Sequence, residues 1–134
     1  MRIALAQLNY TIGDFESNVR KIKEAILKAS AQNVQLIVFA ELSICGYPPR
    51  DLLEFQDFID KCKTSADDIA SVCKNITAIV GCPVKNPKIE GKNLFNSALV
   101  LSEGKCVAEI HKFLLPDYDI FDEYRYFEPE RSTS

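Results

Sequence analysis

The sequence has 134 residues, of which 47% are hydrophobic and 26% are charged, as in an ordinary folded domain. This composition excludes an intrinsically disordered chain, a collagen-like repeat and a disulfide-rich miniprotein. Sixteen basic and nineteen acidic residues give a net charge of −3, which argues against both a nucleic-acid surface and a polybasic membrane surface.

Cysteine and histidine usage indicates a reducing compartment and no metal site. The five cysteines are an odd number without a C-x-x-C pair, and the sequence has a single histidine, His111. The apolar start Ile3–Ala6 is interrupted by Gln7, so it does not fit a secretory signal peptide. The longest apolar run, Leu36–Ala40, is too short to cross a membrane. We therefore expect a cytoplasmic protein with free thiols.

The chain opens with a predicted strand, helix and strand. Residues 2–9 alternate in polarity, and Gly13-Asp14 offers a turn and a helix N-cap. Apolar residues then recur at helical spacing over 15–33. The continuous apolar run Leu36–Ala40 predicts a strand buried on both faces.

The middle of the chain repeats this order. A loop over 43–50 precedes a second helical pattern over 58–73, and a strand is predicted over Ile76–Val84. Residues 86–93 contain proline, glycine and lysines, which is typical of a surface loop.

Two further strands, 97–101 and 106–113, flank the turn signal Ser102–Lys105 and predict a hairpin. The order β-α-β-α-β followed by a hairpin indicates an α/β fold. The segment 115–127 is aromatic and charged without periodicity, which is typical of a functional or partner-binding segment.

Glu41 and Lys112 are candidate catalytic residues because each follows a predicted strand. Ligand sites of α/β proteins lie at strand ends, although either residue could simply be a solvated charge. If their two strands were neighbours, the carboxylate and the ammonium would converge at one edge of the sheet. Such a pair can transfer protons and stabilise an oxyanion.

Nucleophile and nucleotide signals are weak. Cys45 lies just after Glu41 and beside Gly46, but most free cysteines are small buried apolar residues. No phosphate-binding glycine motif occurs, so nucleotide binding by this chain is not expected.

The assembled motifs resemble the nitrilase (carbon–nitrogen hydrolase) superfamily. Residues 2–9 with Gly13-Asp14 and Asn18 resemble its opening strand and helix. Residues 36–42 resemble the strand that delivers its glutamate, and His111-Lys112 the strand that delivers its lysine.

Two segments are similar to the glutaminase domain of glutamine-dependent NAD synthetases, namely Gly46–Leu53 and Leu115–Phe127. This resemblance implies a nitrilase-like fold, part of a four-layer α-β-β-α sandwich, and hydrolysis of the glutamine amide to supply ammonia. It implies that Glu41 is the general base and that Lys112 stabilises the oxyanion, with a cysteine that forms a thioester. It also implies four residues that line the glutamine pocket: Tyr47, Tyr118, Phe121 and Glu123.

The same resemblance places the nucleophilic cysteine in a Cys-Glu-Asp-like motif after Phe127-Glu128-Pro129. Residues 130–134 contain no such motif. We therefore expect residues 1–134 to be an incomplete N-terminal portion of the glutaminase domain, without a synthetase domain, and inactive alone. No cofactor is expected in this chain, since ATP and Mg²⁺ would bind the absent synthetase domain.

The expected partners are L-glutamine, the missing half of the glutaminase domain and the synthetase domain. The full protein is expected to be a homo-oligomer, with neither nucleic acid nor membrane as a partner. Two alternatives remain open: another carbon–nitrogen hydrolase acting on a free amide, and a catalytically silent binding or assembly module.

Overall fold

A computed structural model describes residues 1–46, 55–85 and 94–111 of the chain. These residues form two helices and five strands in the predicted order. The elements are β1 (Ile3–Leu5), α1 (Phe15–Ala31), β2 (Leu36–Val38), α2 (Gln56–Ala70), β3 (Thr77–Lys85), β4 (Leu94–Ser102) and β5 (Lys105–His111).

The strands form one mixed sheet in the order β1-β2-β3-β4-β5. The pairs β1–β2 and β2–β3 are parallel, and the pairs β3–β4 and β4–β5 are antiparallel. The parallel pairs are joined through helices, and β4 and β5 form a hairpin, as expected from their connection lengths. The α/β prediction is therefore confirmed.

The first helix follows the sequence signals closely. Asp14 caps it, because its carboxylate accepts a hydrogen bond of 3.1 Å from the Ser17 backbone N–H. Its buried side chains recur at spacings of three and four, as predicted: Asn18, Val19, Ile22, Ile26 and Ala29.

Several predicted elements are longer than the observed ones. The strand expected over Leu36–Ala40 ends at Val38, and the helix expected over 15–33 ends at Ala31. The strand expected over 2–9 is observed as Ile3–Leu5, and the chain turns toward α1 after the Ala6 N–H has donated to the Val38 carbonyl at 2.9 Å. The second helix ends at Ala70, and Cys73 lies in the turn beyond it. Cys73 is nevertheless fully buried.

The helices pack on one face of the sheet and enclose the core with it. The rings of Phe15 and Phe58 meet edge to face at 5.0 Å, and Lys23 bridges to Asp68 at 2.8 Å across the two helices. Alternate strand residues point into this core, including Ile37, Ala78, Val80, Leu99 and Leu101.

The opposite face of the sheet, here called the open face, is apolar and accessible. Leu36 and Val38 are only half-buried there, so the prediction that β2 is buried on both faces is wrong. At the two edges the exposure is larger, reaching 76% for Leu5 and 58% for Ile110. The reason is that the helices cover only the other face.

No helix in the described parts of the chain combines the length and apolar composition needed to cross a membrane.

Candidate active site

Glu41 lies directly beyond the carboxyl end of β2, in a turn that spans residues 41–45. Pairing with β3 continues one residue beyond β2, since the Phe39 N–H donates to the Ile79 carbonyl at 2.9 Å. Glu41 thus lies near the end of a parallel strand, where α/β proteins place their ligands, as expected from the sequence.

The turn that carries Glu41 lies against the backbone of Gly81 in β3. A Cβ atom at Gly81 would lie 2.1 Å from the Leu42 nitrogen and 2.8 Å from the Glu41 carbonyl carbon. The Gly81 N–H donates to Ser43 Oγ at 3.1 Å, and its carbonyl accepts from the Ile44 N–H at 3.2 Å. Glycine is therefore required here so that the two backbone segments can pair at this distance.

Leu42 has an unusual backbone conformation for its residue type. Its φ is +50°, in the left-handed region that side chains disfavour by about 1–2 kcal/mol. Its side chain is fully buried, and burial of a leucine contributes about 1.5–3 kcal/mol. The core thus holds Leu42 in this conformation, which fixes the direction in which the preceding Glu41 leaves the strand.

A buried asparagine of α1 holds the far end of the turn. The Asn18 amide donates to the carbonyls of Thr11 at 2.8 Å and Ile44 at 3.2 Å, and its Oδ1 accepts from the Thr11 N–H at 2.9 Å. Gly46 passes so close that a Cβ there would lie 2.9 Å from Ile12 Cα. Helix α1, the segment before it and the Glu41 turn are therefore locked together.

Glu41 borders a cavity of about 370 Å³ on the open face of the sheet. Its walls are largely apolar and include Val38, Ile79, Ala98 and Ile110. The amide of Asn96 on β4 donates to Glu41 Oε1 at 2.5 Å, and Asn96 is only 3% exposed. A carboxylate beside an apolar cavity, held by a buried neutral donor, is suited to take a proton from a bound reactant.

Two residues of this site were missed by sequence reasoning, although both left a signal. Gly81 interrupts an apolar strand pattern, which indicates a bulge or a close backbone approach. Asn96 is a polar residue on the face of β4 that also presents Ala98 and Val100.

The convergence of Glu41 and Lys112 was expected only if their two strands were neighbours, and in the sheet they are not. Two strands, β3 and β4, lie between β2 and β5. The end of β5 nevertheless reaches the same cavity, because His111 lines it together with Glu41. The remaining site candidates lie outside the described residues: Tyr47, Lys112, Tyr118, Phe121 and Glu123.

His111 stands at the β5 end of the cavity with its ring stacked on Phe95. The ring centroids are 3.9 Å apart and the planes differ by 11°. Its Nε2 lies 3.6 Å from Glu109 Oε2. Within the three described ranges, no group of three or more His, Cys, Asp or Glu side chains is arranged to hold a metal ion.

All five cysteines are free, and four are buried. The pKa of Cys45 lies well above its ordinary value because its thiol hydrogen-bonds with Cys62 and is buried. The hydrogen bond with Cys45 lowers the pKa of Cys62, but the hydrogen bond with Cys82 and burial together raise that pKa above its ordinary value. Burial raises the pKa of Cys73 to about 11.

Cys106 is the exposed cysteine, and burial of part of its side chain still raises its pKa. It lies near the start of β5, whereas the cavity is lined by the end of that strand. A nucleophilic cysteine needs access to the substrate and a lowered pKa. The four buried thiols lack access, and Cys106 has a raised pKa and lies away from the cavity.

Residues 2–133 match the sequence family described as carbon–nitrogen hydrolase. A glutamine-dependent NAD(+) synthetase of Synechocystis sp. is 41% identical over 129 residues, which cover 93% of this chain and 23% of that protein. The crystal structure of a glutamine-dependent NAD(+) synthetase from Cytophaga hutchinsonii has a TM-score of 0.92 at 28% identity, covering 100% of this chain and 22% of that one.

A more distant structural neighbour is an amidase variant from Nesterenkonia sp. AN1 that shows Michael addition of acrylamide at its active site cysteine. Its TM-score is 0.77 at 25% identity, with 98% of this chain and 50% of that chain covered. These similarities confirm the expected nitrilase-like α/β fold. The chain spans less than a quarter of the length of the curated relatives it matches.

The close approach at Gly81 gives a prediction for stability. In Gly81→Ala the new methyl group would collide with backbone atoms, which cannot rotate away, so we expect the free energy of unfolding to fall by at least ~3 kcal/mol. The matched control is Gly104→Ala, where φ is +81° but no atom lies within 4 Å of the added Cβ. That variant should lose only about 1 kcal/mol. Urea unfolding gives the free energy of unfolding of both variants. Equal decreases in that free energy would contradict the prediction.

Proposed function

Because this chain belongs to the carbon–nitrogen hydrolase family, we propose that it forms part of the glutaminase site of a glutamine-dependent NAD(+) synthetase. The observation that carries the proposal is Glu41, whose carboxylate borders the open-face cavity and accepts a hydrogen bond from buried Asn96. The 41% identity to the Synechocystis synthetase supports glutamine, rather than another amide, as the substrate.

In this proposal Glu41 acts as the general base. It takes the proton of a cysteine thiol while the sulfur attacks the amide carbon of glutamine. Lys112 stabilises the negative charge that develops on the amide oxygen. When the carbon–nitrogen bond breaks, the proton passes to the leaving nitrogen and ammonia departs. Water then hydrolyses the thioester to glutamate and restores the thiol.

The glutamine pocket would be completed by aromatic and acidic side chains on two segments beyond the described residues. Tyr47, Tyr118 and Phe121 are assigned to its walls, which suits the aliphatic part of the substrate. Glu123 is assigned to the substrate's α-ammonium group or to Lys112, since a carboxylate pairs with either cation. These assignments follow from the family motif that the four residues match.

The nucleophile of this reaction is proposed to come from outside these 134 residues. The thiol closest to Glu41 along the chain, Cys45, is fully buried and has a raised pKa. The amidase from Nesterenkonia sp. AN1 uses an active site cysteine, which supports thiol chemistry in this fold. Residues 1–134 would then supply the base and the oxyanion donor of a site that another segment completes.

The remaining assignments concern partners and compartment. ATP and Mg²⁺ are assigned to a synthetase domain, and the full protein is assigned a homo-oligomeric state. Free thiols at all five cysteines support a reducing compartment, the cytoplasm.

A second candidate function is hydrolysis of another free amide. The structural similarity to the Nesterenkonia amidase favours it, at a TM-score of 0.77 and 25% identity. The two candidates differ in substrate, since only a glutaminase depends on recognition of the α-amino and α-carboxylate groups. A comparison of glutamine with a short aliphatic amide separates them.

Removal of the general base tests the mechanism. In the full-length gene product, Glu41→Gln should lower the rate of ammonia release from glutamine by ~10²–10⁴-fold, because the thiol is no longer deprotonated by a neighbouring base. Glu103→Gln makes the same chemical change in the exposed β4–β5 turn and should leave the rate unchanged. Near-normal glutamine hydrolysis by a folded Glu41→Gln variant would disprove the assignment.

Glu123 is tested by changing the nitrogen source. We expect Glu123→Ala to reduce NAD synthesis from glutamine at least ~10-fold, the usual cost of removing a charge-assisted contact. Synthesis from free ammonia should persist, because ammonia enters after the step that Glu123 supports. Parallel kinetics with both nitrogen sources measure this. Equal losses would mean that Glu123 is structural or serves the other domain.

The buried thiols predict that residues 1–134 alone do not hydrolyse glutamine. A general base and an oxyanion donor cannot replace the covalent thioester intermediate. The measurement is ammonia release by the purified chain before and after treatment with iodoacetamide. Turnover that alkylation abolishes would contradict the prediction and would direct mutagenesis to Cys45.

A further inference from the structure

We propose that Asn96 is a positioning residue that holds the Glu41 carboxylate in the orientation needed for proton transfer. This inference rests on the proposed function and adds a residue to its site. Its basis is the hydrogen bond of 2.5 Å from Asn96 Nδ2 to Glu41 Oε1, which joins β4 to the turn after β2. The two residues lie 55 positions apart in the sequence, so the contact is a product of the sheet.

The burial of Asn96 makes this hydrogen bond costly to lose. Asn96 is 3% exposed and stands on the same face of β4 as Ala98 and Val100. A buried amide in apolar surroundings costs about 1–3 kcal/mol unless its polar atoms are paired. Within this apolar face, Asn96 stands where its amide can reach the Glu41 carboxylate.

The fold brings the two side chains together through Gly81. Because Gly81 lacks a side chain, the Glu41 turn can pass over β3 and approach β4. Gly81 pairs with Ala98, two residues from Asn96 on the same face of β4. Because Gly81 has no side chain, nothing from that position of β3 lies between Asn96 and the Glu41 turn.

The chemistry of the amide suits the role. An asparagine donates a hydrogen bond to a carboxylate but does not take up a proton at neutral pH, so it does not compete with Glu41 for the thiol proton. It also restrains a glutamate side chain that has three rotatable bonds.

The test uses the full-length gene product with Asn96→Ala and the near-isosteric Asn96→Asp. The control is Ser102→Ala, which removes another polar pairing on this face of β4, the contact of 3.2 Å between Ser102 Oγ and Thr77 Oγ1. For each protein, kcat and KM for glutamine are measured, and circular dichroism reports on the integrity of the fold. Glu41→Gln is measured in parallel.

We expect Asn96→Ala to lower kcat about 10- to 100-fold with little change in KM, because the base is disoriented while glutamine still binds. Asn96→Asp should lose more, since a second carboxylate repels the first. The other titratable side chain that lines the cavity within the described residues, His111, is unchanged in all variants.

Any other result contradicts either the proposed function or the positioning role of Asn96. If the parent protein does not hydrolyse glutamine, or if Glu41→Gln hydrolyses it at the parent rate, the proposed function fails, and this inference fails with it. If Glu41 is essential but both Asn96 variants keep the parent kcat and KM, only the positioning role fails. It also fails if both variants lose the circular-dichroism spectrum of the folded parent while Ser102→Ala keeps it, because Asn96 would then be structural.

Discussion

The contact between Gly81 and the turn after β2 is the constraint on which the candidate site depends. Backbone atoms of the turn occupy the space that any side chain at position 81 would need. The hydrogen bonds of Gly81 with Ser43 and Ile44 then hold the turn against β3. This close approach keeps Leu42 buried and sets Glu41 beside β4. The Asn18 amide secures the other end of the turn, so its position is fixed from two sides.

The sequence predicted those parts of the fold that depend on local patterns. The apolar stripe of α1 and its Asp14 cap are readable within one segment, because a helix satisfies its hydrogen bonds internally. The position of Glu41 followed from an apolar strand that ends in a carboxylate. The overall order of elements was also recovered, since parallel strands need long connections and antiparallel strands can be joined by a tight turn.

The parts that could not be predicted are contacts between distant segments. Asn96 meets Glu41 because Gly81, in the strand between β2 and β4, has no side chain that would separate them. Whether the strands before Glu41 and Lys112 are neighbours could not be decided from the sequence, because strand order is set by pairing along the whole sheet. For Cys45 the sequence left two alternatives open, a nucleophile after Glu41 and a small buried apolar residue. The structure shows that it is fully buried in the core.

The change from parallel to antiparallel pairing at β3 has a consequence for how the site forms during folding. The pairs β3–β4 and β4–β5 are joined by short connections without a helix, whereas β1–β2 and β2–β3 each close a loop that contains a helix. Loop closure costs more entropy for the longer connections, so local pairings form sooner than distant ones. On this ground we expect Asn96 to lie in the part that forms first. The base and its amide would then meet when β2 docks onto β3.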